Sequence, residues 1–449
     1  GKVPLITEVL DYNSPNIPRD EVSVIRDFIM KELTEAAAIL PEKYAGGYPN
    51  EKGRITKYAC LSLKARAALY FGDYALAEST AKEVMDKGGF SLFKISSLSD
   101  AQKKEAEEMS LYIDFAEKGI DKDEFVKGMF NYEALWHTEN ANPDNPEYIM
   151  TRQYAASSWN YQDMTRYTSM RPNQLGGWSS VTPTQNLVDA YWGVDGHSVP
   201  QLPTPEERAK AYNQIKADLD AYQKPEGEAK FIAFCQEKIK NGTLKDYKYI
   251  QEFRNRDSRM YVSILMPFKS WYESNYGDKF VYEWIKNGNN ESKTGFNFRK
   301  MLSLENDANG DGQATGDYPC IRYAEILLIY AEAHTQTTGY DAATEAALNQ
   351  LRDRCGMPDV PSGLSKEEGL KLIQNERRIE LAGEGFRGDD MTRYSDDYWK
   401  EHMNNVPIMT PDGDTELTMK WSSRMRLKPI PQTAIDLNPL LAGDQNPGY

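Results

Sequence analysis

Cysteine and histidine are scarce in this chain, four of each in 449 residues. The cysteines, Cys60, Cys235, Cys320 and Cys355, follow no zinc-ligand spacing and are too few for a disulfide scaffold. Their apolar surroundings read as buried free thiols. A single Cys320–Cys355 bridge stays open if the two helices carrying them pair. The histidines, His137, His197, His334 and His402, form no H-E-x-x-H motif, so metal-assisted hydrolysis has no signature. A G-x-S-x-G elbow and a phosphate-binding glycine loop are missing too. Basic charge is also short: 53 Lys and Arg stand against 68 Asp and Glu, for a net −15. That field repels a nucleic-acid backbone on average, no basic run offsets it, and anionic polysaccharides are mildly disfavoured. No run approaches the ~20 apolar residues of a membrane-spanning helix. No signal peptide opens the sequence and no lipid-attachment cysteine lies near Gly1, so export would rely on a leader outside these residues.

What the chain does have is length, helical periodicity and aromatics. Its size supports a large core and two or three lobes; mean hydropathy is −0.68. Residues 1–20 are extended and broken by proline. Val22, Ile25, Phe28, Ile29 and Leu33 predict an amphipathic helix over 21–40. Two helices, Lys57 to Phe71 and Tyr74 to Met85, follow around a Gly72-Asp73 turn. Small residues (Ala59, Ala67, Ala77, Ala81) let such helices approach closely, and Gly72, Tyr74 and Ala77 supply the turn of a tetratricopeptide-type hairpin. A second hairpin of this kind is expected at 321–352 and a further helix over 366–394. Between the hairpins, residues 130–318 are rich in Asn, Gly, Trp, Tyr and Pro. Strand-like pieces occur there at Tyr261–Met266 and Phe296–Met301, and one helical stretch at about 206–240. A long irregular segment on a regular scaffold is where binding function usually sits. The expected fold class is therefore mainly α. A single unit spans 1–449: helical scaffold over 21–129, an irregular ligand-binding lobe over 130–318, and scaffold plus a Pro/Asn-rich tail over 319–449.

The charge-dense run Glu376, Arg377, Arg378, Glu380, Glu384, Arg387 places carboxylates one helical turn apart. Arginines match them, so it reads as an ion-pair network tying this helix to the Arg322/Glu325 helix and the tail. Glycoside hydrolysis needs two facing carboxylates; Asp189, Asp195, Asp257 and Glu273 are candidates, but no local pattern singles out a pair. Asp307, Asn309 and Asp311, with Gly312, match the start of a calcium loop. Tyr318 stands where the bidentate Glu belongs, and a polar turn of Asx type explains the same residues. Structural Ca2+ at Asp307, Asn309 and Asp311 is thus the one metal site the sequence suggests.

The aromatic set carries the functional reading. Trp159, Tyr161, Trp178, Trp271, Tyr272, Tyr276 and Trp284 lie in loop-like sequence beside Asn160, Gln162, Asn173, Gln174 and Asn275. Aromatic planes take the C–H faces of sugar rings, and short amides take the hydroxyls. The expected ligand contacts are Trp159, Asn160, Tyr161, Trp178, Trp271, Tyr272 and Tyr276. Trp136, Trp192 and Trp399 read as packing residues.

Several stretches together resemble one family. They are Lys2 to Val9, Arg54 to Gly72, Pro183 to Gly196 (PTQNLVDAYWGVDG) and Arg256-Asp257-Ser258-Arg259. Ile321 to Ala333, Leu348 to Gly356, Glu376 to Tyr394 (ERRIELAGEGFRGDDMTRY), Pro429-Ile430-Pro431 and Gln445 to Tyr449 complete the set. Each is weak alone; their order over essentially the whole chain resembles the SusD/RagB outer-membrane nutrient-binding lipoproteins of Bacteroidetes. The resemblance implies a SusD-like fold and non-catalytic capture of an oligosaccharide. It also implies a SusC-like TonB-dependent transporter as partner, and a lipid anchor at the outer-membrane surface. Adhesion or peptide uptake on the same scaffold is the alternative it allows. Gly1 falls inside the family pattern, so the family's N-terminal region is expected to lie outside this sequence.

Overall fold

The computed structural model describes all residues except 12, 45–50, 52, 156–166, 169–176, 273–279 and 303–313. The longer elements are α1 (Val22–Ile39), α2 (Lys57–Phe71), α3 (Tyr74–Lys87), α4 (Asp100–Glu108), α5 (Lys122–Ala134) and β1 (Tyr148–Arg152). They continue with α6 (Gln185–Ala190), α7 (Pro205–Ala221), α8 (Lys230–Lys240), α9 (Ser258–Ser263) and β2 (Tyr318–Arg322). The C-terminal part holds α10 (Tyr323–Thr337), α11 (Ala342–Cys355), α12 (Lys366–Glu380), β3 (Pro407–Met409) and β4 (Thr415–Thr418). The fold is mainly α, and its strands form two-stranded ribbons only among the described residues.

Local chemistry explains the hairpins. Thr56 Oγ1 caps α2 by accepting from the Ala59 N–H, and Gly72 ends it in the left-handed region at φ 76°. Asp73 then caps α3. In the second hairpin Asp341 caps α11 and Gly356 closes it at φ 64°. Ser365 and Glu368 form a capping box on α12. Ala77 and Ala81 are fully buried, as the expected close approach requires, and α10 packs against α3, α11 and α12. Another close approach is between α5 and the end of α11. A Cβ on Gly128 would lie 2.1 Å from the Cys355 and Gly356 backbone.

Two large apolar clusters result. One joins the helical hairpins with α10 and α12. The other lies mostly within 130–318, where Tyr212 meets Tyr249 and Trp284 edge-on at 5.2 and 5.6 Å, and also takes in Phe125 and Met129 of α5, Cys355 of α11 and Ile379 of α12. β1 and β2 form an antiparallel ribbon, Tyr148 opposite Arg322 and Arg152 opposite Tyr318. The stretch 206–240 is two helices, α7 and α8, because Gln223 to Gly227 with its proline separates them. Tyr261–Ser263, read as strand from its β-formers, is instead the second half of α9; Asp257 caps that helix through the Arg259 N–H. Only Ile264–Leu265 and Asn297–Phe298 remain as strands, paired with each other. All four cysteines are free thiols, so the Cys320–Cys355 bridge is not made.

Charges are layered between the clusters. Arg322 holds Glu147, Glu380 and Glu384 at 2.6–2.8 Å. Arg259 bridges Asp257, Glu376 and Glu380, Arg352 binds Glu376, and Lys300 reaches Glu384. Arg377 pairs with Asp390 of the segment after α12. All these side chains are buried. The ion-pair reading thus holds for Glu376, Arg377, Glu380 and Glu384, and the layer extends to Arg259 and Lys300; Arg378 and Arg387 instead donate to Asn186 and to the Tyr398 hydroxyl, and the expected tie to the tail is not among these pairs. Burial alone would raise Glu380, but Arg354, Arg322 and Arg259 hold its carboxyl well below the usual range.

Candidate functional site

The Arg256-Asp257-Ser258-Arg259 element positions one side of the lobe. Arg256 donates to the carbonyls of Val188 and Tyr191 at 2.7 and 2.9 Å, and Gly193 pairs with Arg256 as an isolated bridge. This anchors the stretch from Pro183 to Gly196, and with it the chain just before it, where Trp178 stands.

Trp178 is 41% exposed and Tyr167 40% exposed. Their rings meet edge to face, with centroids 5.5 Å apart and planes at 84°. The Val181 N–H donates to the Tyr167 carbonyl at 2.9 Å, holding these two positions together. Ser179, next to Trp178, has φ 46°, a conformation that disfavours an L side chain and is retained where surrounding contacts fix the turn. An edge-to-face pair of large rings at the surface is a pre-set apolar corner.

Tyr272 belongs to a second feature, a polar hollow of about 630 Å3 between 93–102, 133–140 and Tyr272 itself. The Phe93 N–H donates to Glu147 and the Ile95 N–H to Asn131, both at 2.9 Å, which fixes the serine-rich stretch that follows. Ser99 caps α4 in a box with Gln102. Ser96, Ser97, Gln102 and Asn140 therefore line the hollow with hydroxyls and amides, and Phe93 and Tyr272 give it aromatic walls. The Tyr272 hydroxyl donates to Glu108 at 2.6 Å; burial and that carboxylate push its phenol far up, so it stays a donor. His137 sits 3.5 Å from Glu139, whose carboxyl is lowered by the histidine's hydrogen bond.

The expected contacts therefore separate. Trp178 and Tyr272 are accessible. Trp271 is corrected: it is 1% exposed, packed in the lobe core with the Arg299 guanidinium 4.9 Å from its ring centroid. No ring face remains for a ligand. Trp284 is likewise buried, its Nε1 donating to the Ser292 carbonyl at 2.9 Å. Trp159, Asn160, Tyr161 and Tyr276 lie outside the described residues, as do Asp307, Asn309 and Asp311 of the calcium reading. Among the described residues no group of three His, Cys, Asp or Glu side chains converges as a metal site. Sequence reasoning missed Tyr167 and the stretch Phe93–Ser99; the signal for the latter was three serines within residues 96–99, the last of them a helix cap.

The candidate carboxylates among the described residues, Asp189, Asp195 and Asp257, are engaged. Asp257 is buried against Arg259, and Asp195 accepts from the His197 and Ser198 N–H groups. Asp189 shares Arg208 with Glu252, and the Gln185 amide bonds both at 2.9 Å. Glu273 lies outside the described residues. Burial pushes Glu252 up to about 7 against the pull of Arg208.

Comparison with known proteins adds the following. The SusD family model matches residues 146–449. A SusD-like protein P2 of Formosa agariphila is 29% identical over 148 residues, 31% of this chain and 28% of that protein, so the shared stretch spans well under half the length of this curated relative. A SusD-like protein of Bacteroides fragilis superposes with TM-score 0.69 at 25% identity, over 100% of this chain and 76% of that one. A SusD-like carbohydrate binding protein of the same species gives TM-score 0.67 at 21% identity, over 98% and 75%.

Proposed function

Since the chain belongs to the SusD family, we propose that it captures an oligosaccharide nutrient at the outer-membrane surface and delivers it, uncleaved, to a SusC-like TonB-dependent transporter. The observation that carries this reading is the exposed Tyr167–Trp178 corner. Two rings at a right angle receive one sugar face and brace its neighbour. Each such contact contributes roughly 0.5–1.5 kcal/mol if sugars behave as aromatic pairs do. Ordering a flexible glycan offsets part of that, so affinity falls on the order of micromolar to millimolar. The hollow at Tyr272, lined by hydroxyls and amides, is the second candidate contact region. A family neighbour described as carbohydrate binding supports the ligand class.

The non-catalytic part rests on the carboxylates. Asp189 and Glu252 are two carboxylates near one another, and the Gln185 amide and the Arg208 guanidinium each bridge them. Catalysis needs the gap between acid and base free for the scissile bond, and here side chains fill that gap. A glycan array run beside a peptide library tests the reading. Binding confined to peptides would overturn it in favour of peptide uptake, and new reducing ends from a bound glycan would overturn the non-catalytic part. No described helix is long and apolar enough to cross a membrane; surface location through a lipid anchor is checked by proteolysis of intact cells, and the transporter by co-purification from them.

A further inference from the structure

A cavity of about 190 Å3 lies beneath the β3–β4 hairpin, away from the residues named above as ligand contacts. Its walls are apolar: Tyr249, Phe296, Met409 and the prolines at 205, 407 and 411. The hairpin is seated firmly. Pro411 packs directly on Gly295, where a Cβ would lie 2.1 Å from the proline ring, and Lys286 ties down Asp412 and Asp414 at 2.6 Å.

The floor is ionic. Glu252 Oε1 accepts from Arg208 Nε at 2.7 Å, and Asp189 Oδ1 from Arg208 Nη2 at 2.7 Å. Gln185 Nε2 bonds the same two oxygens. Among the described residues no donor reaches Glu252 Oε2 or Asp189 Oδ2, and Arg208 Nη1 has no acceptor. The Glu252 side chain is only 3% exposed and lines the cavity, so the hydrogen-bonding capacity left on its carboxylate is open to an occupant.

The spare set, two acceptors and one donor, matches hydroxyl groups, which both donate and accept. An ammonium ion only donates, and local charge does not call for one. Arg256 and Arg378 bond the Glu252 carbonyl and Asn186 respectively, so three guanidiniums surround two carboxylates. An anion would meet the carboxylate oxygens. The room suits one six-membered ring; a dry cavity of roughly 150 Å3 accepts benzene. We propose that this cavity is a second ligand site that holds one neutral, hydroxyl-bearing ring, such as a single pyranose, with its C–H face on Tyr249 and Phe296 and its hydroxyls on Glu252, Asp189 and Arg208.

The test uses glucose, galactose, mannose and xylose as separate probes of the 449-residue chain, read by saturation-transfer NMR titration. At least one is expected to saturate in the millimolar range. Glu252→Gln should weaken it about tenfold. Met409→Trp, which fills the cavity from the hairpin without touching the ionic floor, should abolish it, and this variant decides the matter if Glu252→Gln does not fold. No saturation by any of the four sugars overturns the proposal. So does binding that survives Met409→Trp but is lost in Trp178→Ala, which would place the sugar on the surface aromatics. Failure here leaves oligosaccharide capture at Trp178 standing, because that reading is tested by the array.

Discussion

Trp178 and Trp271 are the same residue type doing opposite work. Trp271 fills the lobe core beside Arg299, which itself bridges Glu105 and Glu133. Trp271→Ala removes a fully buried indole and strands part of that cluster; the expected loss is about 3–5 kcal/mol, seen as a lower urea midpoint. Trp178→Ala, at an exposed corner, should leave the urea midpoint unchanged and weaken binding to whichever glycan the array identifies. Equal stability of the two variants would sink the distinction. In sequence the two tryptophans look alike, each among polar loop residues. What separates them is long-range: Trp271 is flanked by Lys269, whose ammonium reaches Glu105 on α4, and no local spacing reports that contact. The charged residues of α12 were legible as structure because arginines accompany the carboxylates at helical spacing. Their partners Arg259 and Lys300 were not, since these come from distant chain.

At the scale of elements, the hairpins were legible because their signals are local. Gly72 and Gly356 end helices, Asp73, Asp341 and Ser365 begin them, and buried alanines mark the facing sides. The lobe was legible only as irregular, and α9 was misread because its β-forming residues are overruled by its cap and its tertiary partners. Gly128 shows how tightly the elements meet. Gly128→Ala should destabilise the protein by about 1–3 kcal/mol although alanine favours helix, because the new methyl enters the α11 backbone. An unchanged or higher urea midpoint would mean that α5 can shift freely. A second element contact is pH-dependent. His334 of α10 lies 2.7 Å from Glu78 of α3 and 3.1 Å from Asp341, the cap of α11, and stacks on Tyr330. Burial works against its charge, but the hydrogen bonds it donates to those carboxylates raise it above 6.5. A raised histidine binds its proton more tightly when folded. Its stabilisation is complete below 6.5 and is lost as pH rises through the folded value. Melting temperature measured from pH 6 to 9 should fall more steeply for this chain than for His334→Gln; parallel curves would remove the clasp.

At the scale of the whole molecule, the question is whether two apolar clusters make two cooperative units. The charged layer says one. Asp257 and Arg259 belong to the lobe, Glu376 and Glu380 to the scaffold, and Arg322 to the ribbon that joins them. Acid tests this directly. Glu380, Glu384 and Asp257 are held below their ordinary values by arginines and lysine that outweigh burial, and Glu105 falls to about 2. A depressed carboxylate contributes stability that is present above its unfolded value and lost as pH falls through the folded one. Glu252 and Asp317, raised by burial to about 7 and about 6, act in the opposite sense and favour the folded chain on protonation. Stability should therefore rise on acidification from pH 7 towards about 5, then fall steeply below about 4. Protonating the shared layer leaves buried arginines unpaired on both sides at once, a cost of about 3–5 kcal/mol for each broken pair. Lobe and scaffold should then fail together. Near-UV dichroism follows the packed aromatics of the lobe, and far-UV dichroism follows the helical hairpins. Their acid transitions should coincide, and Glu380→Gln should move both to higher pH by the same amount. A helical signal that outlasts the aromatic one would show that the scaffold stands alone and that the charged layer does not couple the two cores.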